Sequence, residues 1–427
     1  MKIKTVEMDY DKVLALPPQK AERPQRPSVF FRTLLKAASL PDLWSVGFRC
    51  RKIGMERLGR DEPCLILMNH SSFIDLKIAA SVLYPRPFNI VCTSDGFVGK
   101  NRLMRKLGCI PTKKFVTDPR LVFDMLHAVR TLKCSVLMYP EASYSFDGTA
   151  TPLPDGLGKC LKLLKVPVIM IRTYGAFSRD PLYNGLKLRK VKVSADIKYL
   201  LSAQEISERS PAELNRILKE EFTFDHFRWQ QEQGIRITEP FRAEGLNRLL
   251  YRCPHCQAEG QMVSSRSTLC CRGCGKKYEL TEDGFLQAHE GATEFPHIPD
   301  WYRWERECVR TELAQGSYHL QTPVDIYMMV NTDCIYRVGT GELSHTASGF
   351  RLTGCDGRLD YHQAPEASYS LYSDFYWYEI GDVICIGNQD ALYYCFPKTD
   401  ADVVAKARLA AEELYRMTVG GVAVKMP

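Results

Sequence analysis

The sequence has no long apolar run, and no stretch of it approaches the roughly 20 apolar residues that a membrane-spanning helix needs. It shows no secretory signal, because the N-terminus is charged and is broken by Pro17 and Pro18. The 16 cysteines have no regular spacing apart from one cluster, so a disulfide framework is not expected. These absences argue against an integral membrane protein and against a secreted disulfide scaffold, and they favour an intracellular protein with reduced thiols.

Net charge is also absent from most of the chain, because the formal excess of +7 lies entirely in residues 1–60. That segment holds 13 Lys and Arg against 6 Asp and Glu, and the remaining residues hold 44 of each sign. A basic front end suits anionic lipid head groups or nucleic acid, although a solvated basic tail remains an alternative. A nucleic-acid partner is not expected, because it requires a basic face clustered on the folded part of the chain.

The front end also contains an amphipathic segment. After a polar, proline-rich arm, Ser28–Ala38 is expected to form a short helix with Val29, Phe30 and Leu34 on one face. A second short helix is expected from Pro41, followed by a run of basic residues. Apolar and aromatic residues beside Arg and Lys are typical of helices that lie in a membrane interface, whereas packing on the main domain is the alternative.

The most informative stretch joins a short strand to a helix. An apolar run at Leu65–Met68 predicts a buried strand, and Ile74–Leu83 predicts the helix that follows it. His70 lies at the end of this strand, where α/β sheets place their chemistry, and Asp75 lies near the start of the helix. A turn between them would bring the carboxylate to one imidazole nitrogen and leave the other facing a cleft, which makes His70 a candidate general base.

A second polar stretch occurs at the end of another predicted strand. Tyr139–Ser145 follows the apolar run Ser135–Met138 and contains Glu141 and Ser143. The His70 and Asp75 pair is a weak signal alone, because its spacing occurs by chance. Two polar stretches at the ends of two strands are what a shared active site requires.

Four stretches, taken together, resemble the conserved blocks of the glycerolipid acyltransferases, also called the lysophosphatidic acid acyltransferase superfamily. They are Asn69–Asp75, Gly108–Lys114, Tyr139–Glu141 and Val166–Met170, in the same order as in that family. The resemblance covers roughly residues 50–200, under half of the chain. It implies a mixed α/β sheet flanked by helices, similar to that of glycerol-3-phosphate acyltransferase.

The alternation of strand and helix signals agrees with that fold class. The candidate strands are Leu65–Met68, Asn89–Thr93, Ser135–Met138, Val166–Thr173 and Lys187–Ile197. The candidate helices are Ile74–Leu83, Asn101–Leu107, Pro119–Leu132, Gly156–Leu164 and, with Ser210 as its N-cap, Pro211–Phe222.

The resemblance also implies a reaction, the transfer of a fatty acyl group from acyl-CoA or acyl carrier protein to a hydroxyl of a lysophospholipid similar to 1-acylglycerol-3-phosphate. His70 would be the general base and Asp75 would fix its tautomer, without a covalent intermediate. The protein would be cytoplasmic and peripheral on the inner face of the membrane, in contact with anionic lipids. The alternative is a non-catalytic lipid-binding or scaffold protein built on a degenerate acyltransferase domain.

Four residues are implied to bind substrate. By family analogy Glu141 orients the acceptor, and backbone amides from Glu141 to Ser143 would stabilise the oxyanion. Lys113 and Lys114 lie where the family carries a basic phosphate ligand, with Lys114 preferred.

The third block departs from the family, because Ala142, Ser143 and Tyr144 stand where Gly, Thr and Arg usually follow the glutamate. Lysine is a point charge and does not reproduce a bidentate guanidinium. The acceptor could therefore be another lysophospholipid, a glycolipid or an aminolipid.

The one regular cysteine cluster predicts a metal site. Cys253 with Cys256, and Cys271 with Cys274, form two Cys-x-x-Cys pairs separated by 14 residues. Four thiolates form a closed tetrahedral zinc site with no open position for water, so we expect a structural zinc ribbon. Cys270 is an alternative ligand to Cys271, but its spacing to Cys274 is unusual.

The last part of the chain is rich in strand signals. The expected strands are Val324–Val330, Cys334–Val338, Gly349–Thr353, Ser368–Tyr372, Phe375–Ile380, Val383–Gly387 and Leu392–Phe396, before a helix at Ala401–Met417. Antiparallel strands closed by one C-terminal helix have the order of a pleckstrin-homology-like domain, and any small β-barrel or sandwich is the alternative. The predicted domains are a basic arm with interface helices (1–50), an acyltransferase domain (51–227), a linker (228–247), the zinc ribbon (248–284) and a β-rich domain (295–420).

Overall fold

A computed structural model describes residues 2–399 and 402–419. The N-terminal segment contains β1 (Thr5–Glu7), α1 (Tyr10–Leu14) and α2 (Val29–Ser45). Ser28 begins α2 as expected, because its side chain accepts a hydrogen bond from the amide of Phe31. The two short helices expected here are one continuous helix that contains Pro41. Among the described residues, no helix combines the length and apolar content needed to cross a bilayer.

A seven-stranded sheet follows, and it confirms the predicted mixed α/β architecture. Its strands are β2 (Arg49–Ile53), β3 (Leu65–Met68), β4 (Phe88–Thr93), β5 (Cys109–Thr112), β6 (Ser135–Met138), β7 (Val168–Tyr174) and β8 (Ser194–Leu201). They lie in the order β2-β8-β7-β3-β6-β4-β5, and all neighbours are parallel except β7 and β8. The ends of the parallel strands β3, β6 and β5, which carry the polar blocks, therefore lie at one edge of the sheet.

Helices cover both faces of this sheet. They are α3 (Ile74–Leu83), α4 (Asn101–Lys106), α5 (Pro119–Arg130), α6 (Leu157–Leu164), α7 (Ala176–Arg179), α8 (Ala203–Glu208), α9 (Pro211–Phe222) and α10 (His226–Glu232). Successive side chains of a strand point to opposite faces, so Ile66 and Met68 of β3 pack with α2 and α3, whereas Leu65 and Leu67 pack with α5, α6 and α9. Helices α2 and α5 therefore lie on opposite faces of the sheet and form opposite surfaces of the domain.

The segment predicted as a linker, residues 228–247, is packed against the folded domains. It begins inside α10 and ends in a short 3-10 turn at Leu246–Arg248. Ile237, Ala243 and Leu246 are buried, and a Cβ added at Gly245 would lie 1.9 Å from the carbonyl oxygen of Tyr183. The polar composition that predicted a linker reflects the outer side of this segment only.

A four-stranded antiparallel sheet contains the cysteine cluster. Its strands are β9 (Met262–Ser265), β10 (Thr268–Cys271), β11 (Lys277–Leu280) and β12 (Leu286–Ala288), and α11 (Ile298–Gln315) comes next. Trp301 of α11 is fully buried, packs edge-on against Tyr278 and donates a hydrogen bond to the carbonyl of Arg252. The small sheet therefore shares a core with α11.

The C-terminal sheet is a long antiparallel meander. Its strands are β13 (Leu320–Met329), β14 (Ile335–Thr346), β15 (Gly349–Gly354), β16 (Leu359–Gln363), β17 (Tyr372–Trp377), β18 (Gly381–Gly387) and β19 (Leu392–Pro397), and α12 (Val404–Val419) ends the described chain. The order is β16-β15-β14-β13-β19-β18-β17, so the first strand pairs with the last. The strand predicted at Ser368–Tyr372 is wrong apart from its last residue, and β16 was not predicted. Ala401 and Gly420, which belong to the predicted helix and domain, lie outside the described residues.

The N-terminal arm binds the C-terminal sheet, which the sequence did not indicate. β1 pairs in parallel with β14, and Arg358 forms ion pairs with Asp9 and Asp11 at 2.8 and 2.9 Å. Further along the arm, the side chain of Gln19 accepts a hydrogen bond from the amide of Thr332 at 3.0 Å. Because α2 packs against α3 on the α/β sheet, the N-terminal arm connects the α/β sheet with the C-terminal sheet.

Candidate active site

The predicted pair is assembled where β3 ends and α3 begins. Nδ1 of His70 lies 3.2 Å from Oδ2 of Asp75. The same carboxylate oxygen accepts hydrogen bonds from the amides of Ser71 and Ser72 at 2.8 and 3.0 Å. Asp75 is fully buried. The two amide donors stabilise its carboxylate in the position from which the carboxylate orients the imidazole.

Two tyrosines stack on His70. The rings of Tyr139 and Tyr144 each lie 4.2 Å from the imidazole, at interplanar angles of 27° and 33°. The His70 side chain keeps 19% of its surface exposed, and Nε2 has no hydrogen-bond partner among the described residues. Burial lowers the pKa of His70, although Asp75 opposes this effect, so the imidazole is neutral at pH 7 with Nε2 free to accept a proton.

Distant residues support the first block. The amide of Thr173 on β7 donates to the side chain of Asn69 at 2.8 Å, and the hydroxyl of Ser71 lies 3.2 Å from Nε2 of His226 on α10. Burial lowers the pKa of His226 to about 3, which keeps this second histidine neutral. Sequence reasoning missed both supports, because no motif links these residues to the block.

Glu141 lies behind His70. Its two carboxylate oxygens accept hydrogen bonds from the amides of His70 and Thr151, each at 2.9 Å. The side chain is buried, and this burial raises its pKa to about 7. One oxygen thus fixes the backbone at His70 and the other the backbone at Thr151, which differs from the predicted role of orienting the acceptor.

The turn after Glu141 also differs from expectation. Ala142 has a φ of 57°, and its amide donates to the carbonyl of Tyr139 at 3.0 Å. The amide of Ser143 donates to the carbonyl of Glu141 at 2.8 Å. These two amides, predicted to stabilise an oxyanion, therefore already have acceptors within the turn.

The side chain of Ser143 faces the C-terminal domain. Its hydroxyl accepts a hydrogen bond from Nη2 of Arg408, on α12, at 3.0 Å. Both side chains are buried, so Ser143 has a partner within the protein that the sequence could not reveal.

Lys113 and Lys114 point to different neighbours in the C-terminal domain. The ammonium of Lys113 donates to the carbonyls of Asn388 and Gln389, and burial lowers its pKa. The ammonium of Lys114 lies 4.3 Å from the centre of the Tyr372 ring, and its charge contributes to the lowered pKa of His70. Of the two lysines, Lys114 is the one whose positive charge contributes to the lowered pKa of the candidate base His70.

A cavity of about 420 Å³ is lined in part by Lys113. The N-terminal arm, the start of α5 and two turns of the C-terminal sheet enclose it. His70 and Asp75 are not among the residues that line it, so the cavity is separate from the candidate base.

The four predicted metal ligands are brought together. The Sγ atoms of Cys253, Cys256, Cys271 and Cys274 all lie within 4.8 Å of one another, and two of the separations are 3.8 and 3.7 Å. Thiolates bound at about 2.3 Å around a tetrahedral ion lie about 3.8 Å apart, so the cluster fits zinc. Cys270 lies outside the cluster, with its thiol directed to the carbonyl of Cys271.

Residues 49–173 match the model of the Acyltransferase family. A curated relative, a chloroplastic 1-acyl-sn-glycerol-3-phosphate acyltransferase of Brassica napus, is 30% identical over 128 residues, which are 29% of this chain and 36% of that protein. The chain thus spans about a third of the length of this relative. These matches show an acyltransferase domain in the first half of the chain and support acyl transfer in lipid metabolism as the class of reaction.

A solved structure is also similar, the 1-acyl-sn-glycerophosphate acyltransferase PlsC from Thermotoga maritima. The alignment covers 45% of this chain and 76% of that one at 16% identity, with a TM-score of 0.35. A similarity at this level carries no argument about fold or function.

The position of Glu141 generates a prediction. At pH 8 both of its oxygens accept backbone N–H groups, whereas glutamine offers one acceptor and leaves the other amide facing an NH₂ group. We expect Glu141→Gln to lower the free energy of unfolding by about 1–3 kcal/mol, measured by urea unfolding. Glu232→Gln, at an exposed position of α10, should change it by less than about 0.5 kcal/mol. Equal effects of the two variants would contradict the bridging role.

Proposed function

We propose that this protein transfers a fatty acyl group from an acyl thioester, acyl-CoA or acyl carrier protein, to a free hydroxyl of a lysophospholipid at a membrane surface. The observation that carries the proposal is the oriented pair in which Asp75 holds Nδ1 of His70 and leaves Nε2 open. The acyltransferase domain around this pair supports the reaction class.

The reaction needs no acyl-enzyme. Neutral His70 takes the proton from the lipid hydroxyl through Nε2 while the oxygen attacks the thioester carbon. Asp75 stabilises the imidazolium that forms. Collapse of the tetrahedral intermediate breaks the carbon–sulfur bond, and the proton passes from His70 to the leaving thiolate. The products are the acylated lipid and a free thiol.

The acceptor is proposed to be a lysophospholipid in which Lys114 balances the charge of the head group. Tyr144, which replaces the family arginine, is stacked on His70 and offers no positive charge. Among the basic residues of the conserved blocks, Lys114 is therefore the one whose positive charge acts on His70. One ammonium contacts a phosphate less specifically than a guanidinium does, which favours a broader range of head groups.

The outer face of α2 supports attachment to a membrane. Val29, Phe30, Leu34 and Trp44 are 64, 68, 49 and 73% exposed, and this face carries no charged residue. Exposed basic residues of β2 follow the helix, and an apolar face beside basic residues binds anionic lipid surfaces. Phe73, which precedes α3 and is 56% exposed, contacts Tyr144 edge-on, so an exposed apolar side chain lies beside the active site.

The other modules are proposed to be structural. A zinc ion held by Cys253, Cys256, Cys271 and Cys274 would fix the small sheet against α11. The antiparallel meander followed by α12 supports a pleckstrin-homology-like domain, because several antiparallel strands and then one C-terminal helix follow one another as expected.

The base assignment is tested by acyl transfer from a labelled acyl thioester to a panel of lysolipids. We expect His70→Ala to lower kcat by about 10²–10⁴-fold and Asp75→Asn to have a similar effect, because it disturbs the tautomer. If no lysolipid is acylated by the wild type, a lipid-binding scaffold replaces the enzyme.

The same assay predicts a pH dependence. Burial places the pKa of His70 below 6.5, and protonation removes the base as the pH falls. The acidic limb of the kcat/KM profile should therefore lie below pH 6.5. A limb above pH 7 would contradict the assignment.

Membrane attachment is tested by flotation with vesicles of phosphatidylcholine and phosphatidylglycerol. We expect the double variant Phe30→Ser with Trp44→Ser to reduce bound protein at least about tenfold, because two large apolar side chains no longer enter the interface. Phe123→Ser is the matched control, since Phe123 is 62% exposed but lies on α5, on the opposite surface. Unchanged flotation of the double variant would exclude α2 as the attachment site.

Zinc is tested by metal analysis of the purified protein together with thermal unfolding. We expect about one zinc per chain, and we expect Cys256→Ser to remove most of it and lower Tm. The control Cys270→Ser should keep both the metal and Tm, because its thiol lies outside the cluster. Equal loss from the two variants would mean that the ligand set is wrong.

A further inference from the structure

Resting on the proposed acyl transfer, we propose that Arg408 is a positioning residue of the active site, which makes the C-terminal helix α12 a required part of the catalytic apparatus. The acyltransferase match ends at residue 173, so neither the match nor the conserved blocks include this helix. Arg408 acts on the catalytic base through the turn that follows Glu141.

The guanidinium of Arg408 is held on three sides. Nη2 donates to the hydroxyl of Ser143 at 3.0 Å, and Nε donates to Glu412 at 3.2 Å. The charged group also lies 4.3 Å from the centre of the Phe146 ring. With only 3% of its surface exposed, Arg408 is fixed against residues 143–146.

The turn that Arg408 contacts surrounds His70. The carboxylate of Glu141 holds the amide of His70, and the amide of Ser145 donates to its carbonyl at 3.2 Å. Between these two contacts, Tyr144 stacks on the imidazole. A displacement of Ser143 would therefore move both the backbone support and the ring packed on the base.

The partner of Arg408 is itself anchored from outside the acyltransferase domain. Glu412 forms an ion pair with Arg306 of α11 at 2.7 Å and accepts a hydrogen bond from Ser370 at 2.7 Å. Arg306 and Arg408 lower the pKa of Glu412 to about 2, so its charge persists over the whole working range of pH. Residues of α11 and α12 together thus hold the guanidinium of Arg408 in the position from which it donates to Ser143.

A second contact supports the same coupling. Phe375 of β17 stacks on Phe146, with ring centres 4.6 Å apart and an interplanar angle of 29°. The turn is consequently packed between its own sheet and the C-terminal domain.

Packing alone does not account for an arginine at this position. Nη1 of Arg408 is buried without a hydrogen-bond partner among the described residues, which is unfavourable for a charged group. An apolar side chain of similar length would fill the same space, but it would leave the buried Glu412 without one of its partners and Ser143 without its donor, and removal of one partner of a buried ion pair is destabilising. The arginine therefore supplies two directional contacts, and one of them reaches the turn at Ser143.

The test is a double-mutant cycle of Arg408→Met and Ser143→Ala on the full-length protein. We expect each single variant to lower kcat about 10–100-fold with KM changed less than about threefold, because a small misplacement of the base affects the chemical step. The double variant should be no slower than the slower single variant, since both remove one contact. Arg416→Met is the control, because Arg416 lies on the same helix but pairs with Glu413 and does not reach the turn.

A second measurement separates this inference from the proposed function. We would titrate His70 by nuclear magnetic resonance of the labelled imidazole, which does not require turnover. We expect its pKa to rise towards 6.5 in Arg408→Met and in Ser143→Ala, as Tyr144 no longer packs tightly on the ring, and to stay unchanged in Arg416→Met. An inactive wild type whose His70 shows these shifts would overturn the reaction and leave the coupling standing.

Two outcomes would overturn the role of Arg408. One is a wild-type kcat and an unchanged His70 titration in both single variants. The other is a pair of fully additive losses, which would mean that Arg408 does not act through Ser143. If Arg408→Met does not fold, Ser143→Ala alone gives the same two readouts.

Discussion

The buried carboxylate of Glu141 is the contact on which the rest of the site depends. It joins the loops that follow the neighbouring strands β3 and β6, since one oxygen accepts the amide of His70 at the end of β3 and the other accepts the amide of Thr151 beyond β6. A carboxylate without water must have donors on its oxygens, so the two loops cannot separate without exposing an unpaired charge or two unpaired amides. The orientation of His70 towards its cleft follows from that constraint.

Two other buried acids, Asp75 and Glu412, stabilise the structure by the same kind of contact. Asp75 orders the turn between β3 and α3 by accepting two amides, and Glu412 orders the junction of α11 and α12 by accepting a guanidinium and a hydroxyl. Asp75 collects its donors within one turn, whereas Glu141 and Glu412 collect donors from separate segments of the chain. The acyltransferase domain and the C-terminal domain are therefore joined by directional contacts rather than by apolar packing alone.

The sequence predicted best where local signals determine the structure. The bounds of β3, α3, β6 and α9 agree with expectation, because apolar runs or apolar periodicity specify all four and Ser210 also caps α9. The meeting of His70 and Asp75 follows from a single turn. By contrast, β16 carries alternating polar residues and gave little apolar signal.

Tertiary contacts account for what was missed at the site. Lys113 was expected to face substrate, yet its ammonium is held by carbonyls of the turn between β18 and β19. Arg408 and His226 come from elements far along the chain, and no spacing rule reports a contact made by a buried side chain across domains. The role predicted for Glu141 came from family analogy, which identifies a residue but not the atoms that its oxygens contact.

The parallel pairing of β1 with β14 also has a consequence for biosynthesis. Thr5 emerges from the ribosome first, but its partner Ile335 follows about 330 residues later. Closing so large a loop is slow, because the chain loses entropy in bringing the two ends together before any stabilising hydrogen bond forms between them. The N-terminal strand therefore remains unpaired until β14 has been translated, and the nascent chain carries an open strand edge until then.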